Sequence, residues 1–205
     1  MKYRWVAVLA IVLSTAPCRA KTVGGEISLF GGLTIPMQPE AFRDYWNPGL
    51  RIGGGGGVCL FERLSLVAEA TYNRCTVDKK KVLTDAGLLY TPVQLSGGTG
   101  NILTITGGAN AYALPSSFPA APYIAFRAGY TRQNIDDVIV SVPGQGSVTI
   151  YGGSEGGFQM YFGLGINFST GPYMDLFVEG RYGIGFLEGD NTGYVPVTAG
   201  LKMKM

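Results

Sequence analysis

The chain has 205 residues, enough for one domain, with 16 basic and 14 acidic side chains, 32 glycines and a mean hydropathy of +0.20. It contains no histidine, which removes histidine-based acid–base chemistry and the common zinc sites. Its charges form no concentrated basic face of the kind that nucleic acid needs, and beyond the N-terminus no apolar run approaches 18 residues, which excludes a helical membrane protein.

The first segment reads as targeting information. Lys2 and Arg4 precede the short apolar stretch Trp5 to Leu13, and Ser14 to Ala20 ends with small residues at Cys18 and Ala20. This is the pattern of a signal peptide over residues 1–20, cleaved after Ala20, with a single domain over 21–205. Lipid attachment at Cys18 would want Leu three residues earlier, where Thr15 stands. Loss of Lys2, Arg4 and Arg19 leaves 13 basic against 14 acidic side chains.

Eight segments follow in which apolar and polar residues alternate with period two, the mark of a strand with two unlike faces. Val23 to Leu33 sets Ile27, Leu29 and Leu33 against Glu26 and Ser28, and Leu50 to Leu60 sets Leu50, Ile52 and Val58 against Arg51 and a glycine series. Leu64 to Asn73 opposes Leu66, Ala68, Ala70 and Tyr72 to Glu69, Thr71 and Asn73. Ile102 to Ala113 opposes Leu103 and Ile105 to Thr104, Thr106 and Asn110; Tyr123 to Thr131 opposes Ile124, Phe126 and Tyr130 to Arg127. Phe158 to Phe168 opposes Phe162, Leu164 and Ile166 to Gln159, Tyr161 and Asn167. Tyr173 to Leu187 opposes Leu176, Val178, Tyr182 and Phe186 to Asp175, Glu179 and Arg181, and Tyr194 to Lys204 opposes Val197 and Leu201 to Thr198, Lys202 and Lys204.

Each segment is about as long as a strand that crosses a bilayer, roughly 9–11 residues. The apolar faces therefore read as lipid-facing and the charged faces as lining a closed lumen. The expected fold is all-β: an eight-stranded antiparallel up-and-down transmembrane β-barrel. Short links at Phe61 to Arg63, Pro115 to Ala121 and Ser169 to Pro172 alternate with longer ones after the first, third and fifth strands. That alternation puts both mature termini on the side of the short turns. Asp137 to Val142 and Ser147 to Tyr151 form a hairpin too short to cross lipid. It is expected above the membrane as an extension of the fifth and sixth strands, and a ten-stranded barrel is the alternative. Cys59 and Cys75 fall near opposite ends of one hairpin, so no disulfide is expected between them.

The order of several short motifs carries a resemblance. Gly31-Gly32-Leu33-Thr34-Ile35-Pro36 leads to Pro48-Gly49-Leu50, then Leu64-Ser65-Leu66 and Tyr72-Asn73. Ala121-Pro122-Tyr123-Ile124 with Gly129-Tyr130, Asp175 to Glu179 and Val197 to Leu201 complete the series. This succession resembles the small bacterial outer-membrane β-barrel family, the OmpA/OmpX-like eight-stranded barrels, over nearly all of the mature chain. The resemblance implies a cell outer membrane location, contact with outer-membrane lipid or lipopolysaccharide, and adhesion or defence roles through extracellular loops. Family barrels usually finish on an aromatic residue, whereas this chain finishes Met203-Lys204-Met205. The catalytic members of such barrels rely on a histidine, so no enzymatic role carries over.

The facing assignment sends Glu26, Glu69, Asp175 and Glu179 inward with Arg51, Arg127, Arg181 and Lys202. Four acids then meet four bases, as ion pairs that plug the lumen. Glu69 is expected opposite Gly55, with the glycines at 53, 55 and 57 making room, and Glu26 near Lys202 where the barrel closes. Three outer features are candidate contacts for a host or envelope protein or for lipid: Phe42, Tyr45 and Trp46 in the first loop, Lys79, Lys80 and Lys81 in the second, and the edge of the Asp137 to Tyr151 hairpin. No cofactor, metal or nucleic acid is expected, and the protein is read as a monomer. Two alternatives stand at this point: a narrow porin for small solutes, and a soluble exported lipocalin-like or β-sandwich binding protein.

Overall fold

The computed structural model describes residues 24–88, 92–116, 118–144, 146–188 and 191–205. The signal-peptide reading of residues 1–20 lies outside the described residues. Eight long strands close into one barrel: β1 (Gly24–Gln38), β2 (Gly49–Phe61), β3 (Leu64–Thr76), β5 (Thr99–Tyr112), β6 (Ala120–Ile135), β9 (Gly153–Ser169), β10 (Met174–Leu187) and β11 (Asn191–Lys204). Every neighbouring pair is antiparallel, and β1 closes the ring against β11. The two ends of the described chain meet at the foot of the barrel, where the Met205 amide donates to the Gly25 carbonyl at 2.8 Å.

The register fixes the shape. A circuit from Glu26 through its partners Gly57, Val67, Gly108, Arg127, Tyr161, Gly183 and Tyr194 returns to β1 at Pro36, ten residues on. A shear of ten on eight strands tilts them by about 40° and sets a barrel radius of about 8 Å. Each residue then gains about 2.5 Å of height, so Leu176 to Phe186 covers about 25 Å, the height of a bilayer-spanning belt.

The faces are inverted relative to a soluble protein. Leu50 and Leu164 are each 69% exposed on the outer wall, in one belt with Leu29, Leu103, Ile105, Phe162 and Val178. The buried residues are instead mostly polar and charged. Only a lipid solvent makes this arrangement favourable, since in water the exposed belt would forfeit the burial of almost every large apolar side chain. The soluble carrier and sandwich readings fall with it, because the apolar rows do not lie between stacked sheets.

The structure adds three things to the sequence reading. The strands are 13–17 residues long, because they run on past the belt; β6 and β9 pair as far as Ile135 and Gly153. The short hairpin forms as expected, as β7 (Val138–Val142) and β8 (Gly146–Ile150), and after a break at 136–137 and 151–152 it continues the register of β6 and β9, with Ile135 opposite Gly153 and Val138 opposite Ile150. It joins β4 (Gln94–Gly97), a strand from the preceding loop that the sequence pattern did not reveal, in a separate sheet of order β4-β7-β8. The ten-stranded alternative is thereby excluded. Finally, two loop segments are helical: α1 (Glu40–Tyr45) and α2 (Lys79–Asp85).

Candidate functional site

The inward face of the barrel brings together all eight side chains expected there, each no more than 6% exposed. They divide into layers. At the foot, Lys202 Nζ lies 3.8 Å from Glu26 Oε2 and donates to the Tyr112 hydroxyl at 2.9 Å. The same ammonium stands 5.5–5.6 Å from the ring centroids of Tyr112, Tyr123 and Phe177, a cation–π cage. Asp175 accepts from Lys204 at 2.8 Å and from Asn167 at 2.7 Å.

Glu69 is the hub of the middle layer. Arg181 donates to both of its oxygens, the Nη2 contact being 2.9 Å. Arg127 Nε approaches to 3.5 Å and Arg51 Nη2 to 4.0 Å. Arg181 also pairs with Glu179 on its own strand. The remaining Arg127 donors go to the Ala109 and Phe126 carbonyls, both at 2.9 Å, and to Asn110 at 2.7 Å. One carboxylate thus ties β3 to β2, β6 and β10 across the lumen, which a pairwise reading of strand neighbours does not foresee.

Room for this cluster comes from glycine. Gly55 pairs with Glu69, and a Cβ on Gly55 would lie 3.1 Å from the Glu69 Cβ. A Cβ on Gly163 would come within 2.6 Å of Arg181 Cγ. Above the cluster, Arg51 Nη1 and Thr34 Oγ1 share the Asn73 side-chain oxygen at 3.2 and 2.7 Å. The Tyr161 and Tyr194 hydroxyls meet at 2.6 Å, with Arg51 5.4 Å from the Tyr161 centroid. Between Glu26, Glu69, Arg127, Arg181 and Lys202 a cavity of about 20 Å³ remains, space for about one water.

Several lumen residues were not legible. Phe30, Val67 and Phe177 are apolar yet buried inside, and Tyr123 and Tyr194 sit on inward phases. The period-two phase of the neighbouring charged residues carried the signal: Phe177 lies midway between inward Asp175 and Glu179.

The outer candidates are more dispersed. Phe42 is buried at 6% exposure, its ring 5.6 Å from Trp46. It is therefore packing within the loop crown and is not available as a contact, because the α1 face carrying it turns inward. Trp46 bridges Val77 and lies against Gly100, where a Cβ would meet its ring at 2.6 Å. Tyr45 is hydrogen-bonded to Asp85, which raises its phenol pKa, and Lys81 Nζ stands 6.0 Å over its ring. Lys79, Lys80 and Lys81 form the first turn of α2, where Asp78 caps the Lys80 and Lys81 amides at 3.1 Å each. In the β4-β7-β8 sheet, β7 is paired on both sides while β8 leaves one edge open. Val148, 68% exposed, and Ile150 lie on one face with Val138 and Val140.

No family model and no curated protein matches the sequence. Solved structures do match. Neisserial surface protein A superposes with a TM-score of 0.55 at 14% identity, over 89% of this chain and 97% of that one. Ail, the attachment invasion locus protein of Yersinia pestis, gives 0.49 at 12% identity over 89% and 99%. The outer membrane protein OprG from Pseudomonas aeruginosa gives 0.48 at 12% over 90% and 97%. At such identities the likeness is one of fold, and the fold is that of the small eight-stranded β-barrels of bacterial outer membranes.

Proposed function

We propose that this chain is a non-enzymatic outer-membrane barrel that acts through its loops, in envelope structure or surface interaction of the adhesion or defence type. In this reading residues 1–20 are a cleaved signal peptide, the short turns face the periplasm and the crown of long loops faces outward. The observation that carries it is the filled lumen: among the described residues, the paired charges at its centre leave a cavity of about 20 Å³, room for about one water. The lumen ion pairs are then a structural plug, and what remains for function lies above the membrane. There β8 has an edge unpaired among the described residues, and no charged residue occurs from Val138 to Ser154 to discourage strand addition.

Two measurements test it. In planar bilayers the pure protein is expected to be silent, and large, steady single-channel currents would replace the plug with a porin. Deleting Val138–Ile150 is expected to abolish attachment to host cells or matrix while heat-modifiable gel mobility persists. Unchanged attachment would count against the crown as the contact surface.

A further inference from the structure

Two outward arginines stand at one height on the same wall of the barrel. Both follow a tyrosine by two residues: Tyr72-Asn73-Arg74 on β3 and Tyr130-Thr131-Arg132 on β6. In each triplet the tyrosine and arginine face out and the middle residue is buried. The register links them through β5, where Arg74 pairs with Asn101, and Leu103 pairs with both Tyr72 and Arg132. With strands tilted by about 40°, Arg74 and Arg132 lie within about 2 Å of the same level and about 12 Å apart along the wall. Leu103 lies between and just below them, and Asn101 just above. This is the upper limit of the apolar belt, where tyrosines gather and headgroup phosphates begin.

The cations here are uncommitted. The Arg74 guanidinium has no hydrogen bond or ion pair among the described residues. Arg132 uses only Nε, donating to Ser154 Oγ at 3.1 Å, which leaves both Nη groups without a hydrogen bond among the described residues. The Asn101 side-chain oxygen is taken by the Tyr72 hydroxyl at 2.6 Å, so its amide hydrogens point elsewhere. Of the nearby acids, Asp78 caps α2 and Asp137 accepts the Gly152 amide at 2.8 Å, while the exposed Asp136 lies four residues past Arg132, beyond the end of β6. The contrast with the rest of the upper wall is sharp, since Ile35, Met37, Leu50, Ile184 and Phe186 present no outward charge. On its other flank Arg132 borders a cleft of about 630 Å³ that it shares with Glu155 and Glu188. A phosphate is repelled there, so the anion belongs on the Arg74 side.

Resting on the outer-membrane placement proposed above, we infer that Arg74, Asn101 and Arg132 form a docking ledge for an outer-leaflet lipid with two headgroup phosphates. Each guanidinium takes one phosphate, and the acyl chains run down past Leu103 and Ile105. Guanidinium suits this role through its paired donors and weak hydration.

The test uses the protein in phosphatidylcholine nanodiscs doped with diphosphoryl lipid A, with monophosphoryl lipid A, or with neither, and reads retained lipid by native mass spectrometry. Diphosphoryl lipid A is expected to be enriched on the wild type. Arg74→Gln and Arg132→Gln should each lower the enrichment about tenfold, as for one charge-assisted hydrogen bond. Arg63→Gln, on the opposite rim, should leave it unchanged. Equal retention by the double variant overturns the ledge. Equal enrichment of the monophosphoryl lipid overturns the two-phosphate bridge, and displacement by inorganic phosphate alone overturns recognition of a lipid. Heat-modifiable mobility of each variant separates loss of binding from loss of fold. A chain that fails to enter nanodiscs would instead refute the membrane reading itself.

Discussion

The barrel and the crown solve the strand-edge problem in opposite ways. In the barrel all eight strands are paired on both sides, and closure leaves no edge. Its charged residues are buried and matched across the lumen, with Glu69 joining three arginines. Among the described residues the crown has three short strands and two open edges, with a charge-free stretch from Val138 to Ser154. At its base Gly152 N–H donates to the Asp137 carboxylate and Gly98 N–H to the Asp137 carbonyl at 3.2 Å, and Asp136 N–H reaches the Thr99 carbonyl of β5 at 2.8 Å. The barrel is over-determined and the crown is not. Stability should therefore reside in the lumen, and recognition in the segment least needed for closure.

Substitutions can break that division. The largest effect is expected from Glu69→Leu, which leaves Arg51, Arg127 and Arg181 without their shared carboxylate. Breaking a buried ion pair costs about 3–5 kcal/mol, read as a lower urea midpoint in lipid vesicles; an unshifted midpoint would mean the lumen charges are not what holds the barrel. Gly55→Val comes next. Its side chain intrudes on Glu69, and overpacking costs about 1–3 kcal/mol; a neutral result in the same titration would show that the lumen can relax.

Finer changes sharpen it. Tyr161→Phe removes one hydroxyl of the 2.6 Å pair with Tyr194 and is expected to cost about 1 kcal/mol in the urea titration. Deleting Val138–Ile150 should change barrel stability least, within about 0.5 kcal/mol. A larger loss would show that the crown braces the barrel rather than standing on it.

Legibility followed the same divide. The period-two alternation of Leu176, Val178 and Tyr182 against Asp175, Glu179 and Arg181 was readable because every residue of a barrel strand must choose between two solvents. The Gly55–Glu69 apposition followed from a short turn whose length sets the register. Gln94–Gly97 was not readable as a strand, because four residues with one leucine carry no periodicity and acquire strand geometry only by pairing with β7. Phe42 looked like an exposed aromatic because the α1 helix that buries it is a single short turn with no side-chain cap.

Local chemistry along the chain was enough to locate the eight long strands, which face each presents, and that most of their ionisable groups turn inward, since those choices repeat every second residue. Which arginine meets which carboxylate was decided only by the shear of ten that wraps the sheet. That shear rotates β10 to face β3 across the lumen and lifts Arg74 and Arg132 to a common height. Contacts of that kind depend on closure, a property of the whole ring that no single strand encodes.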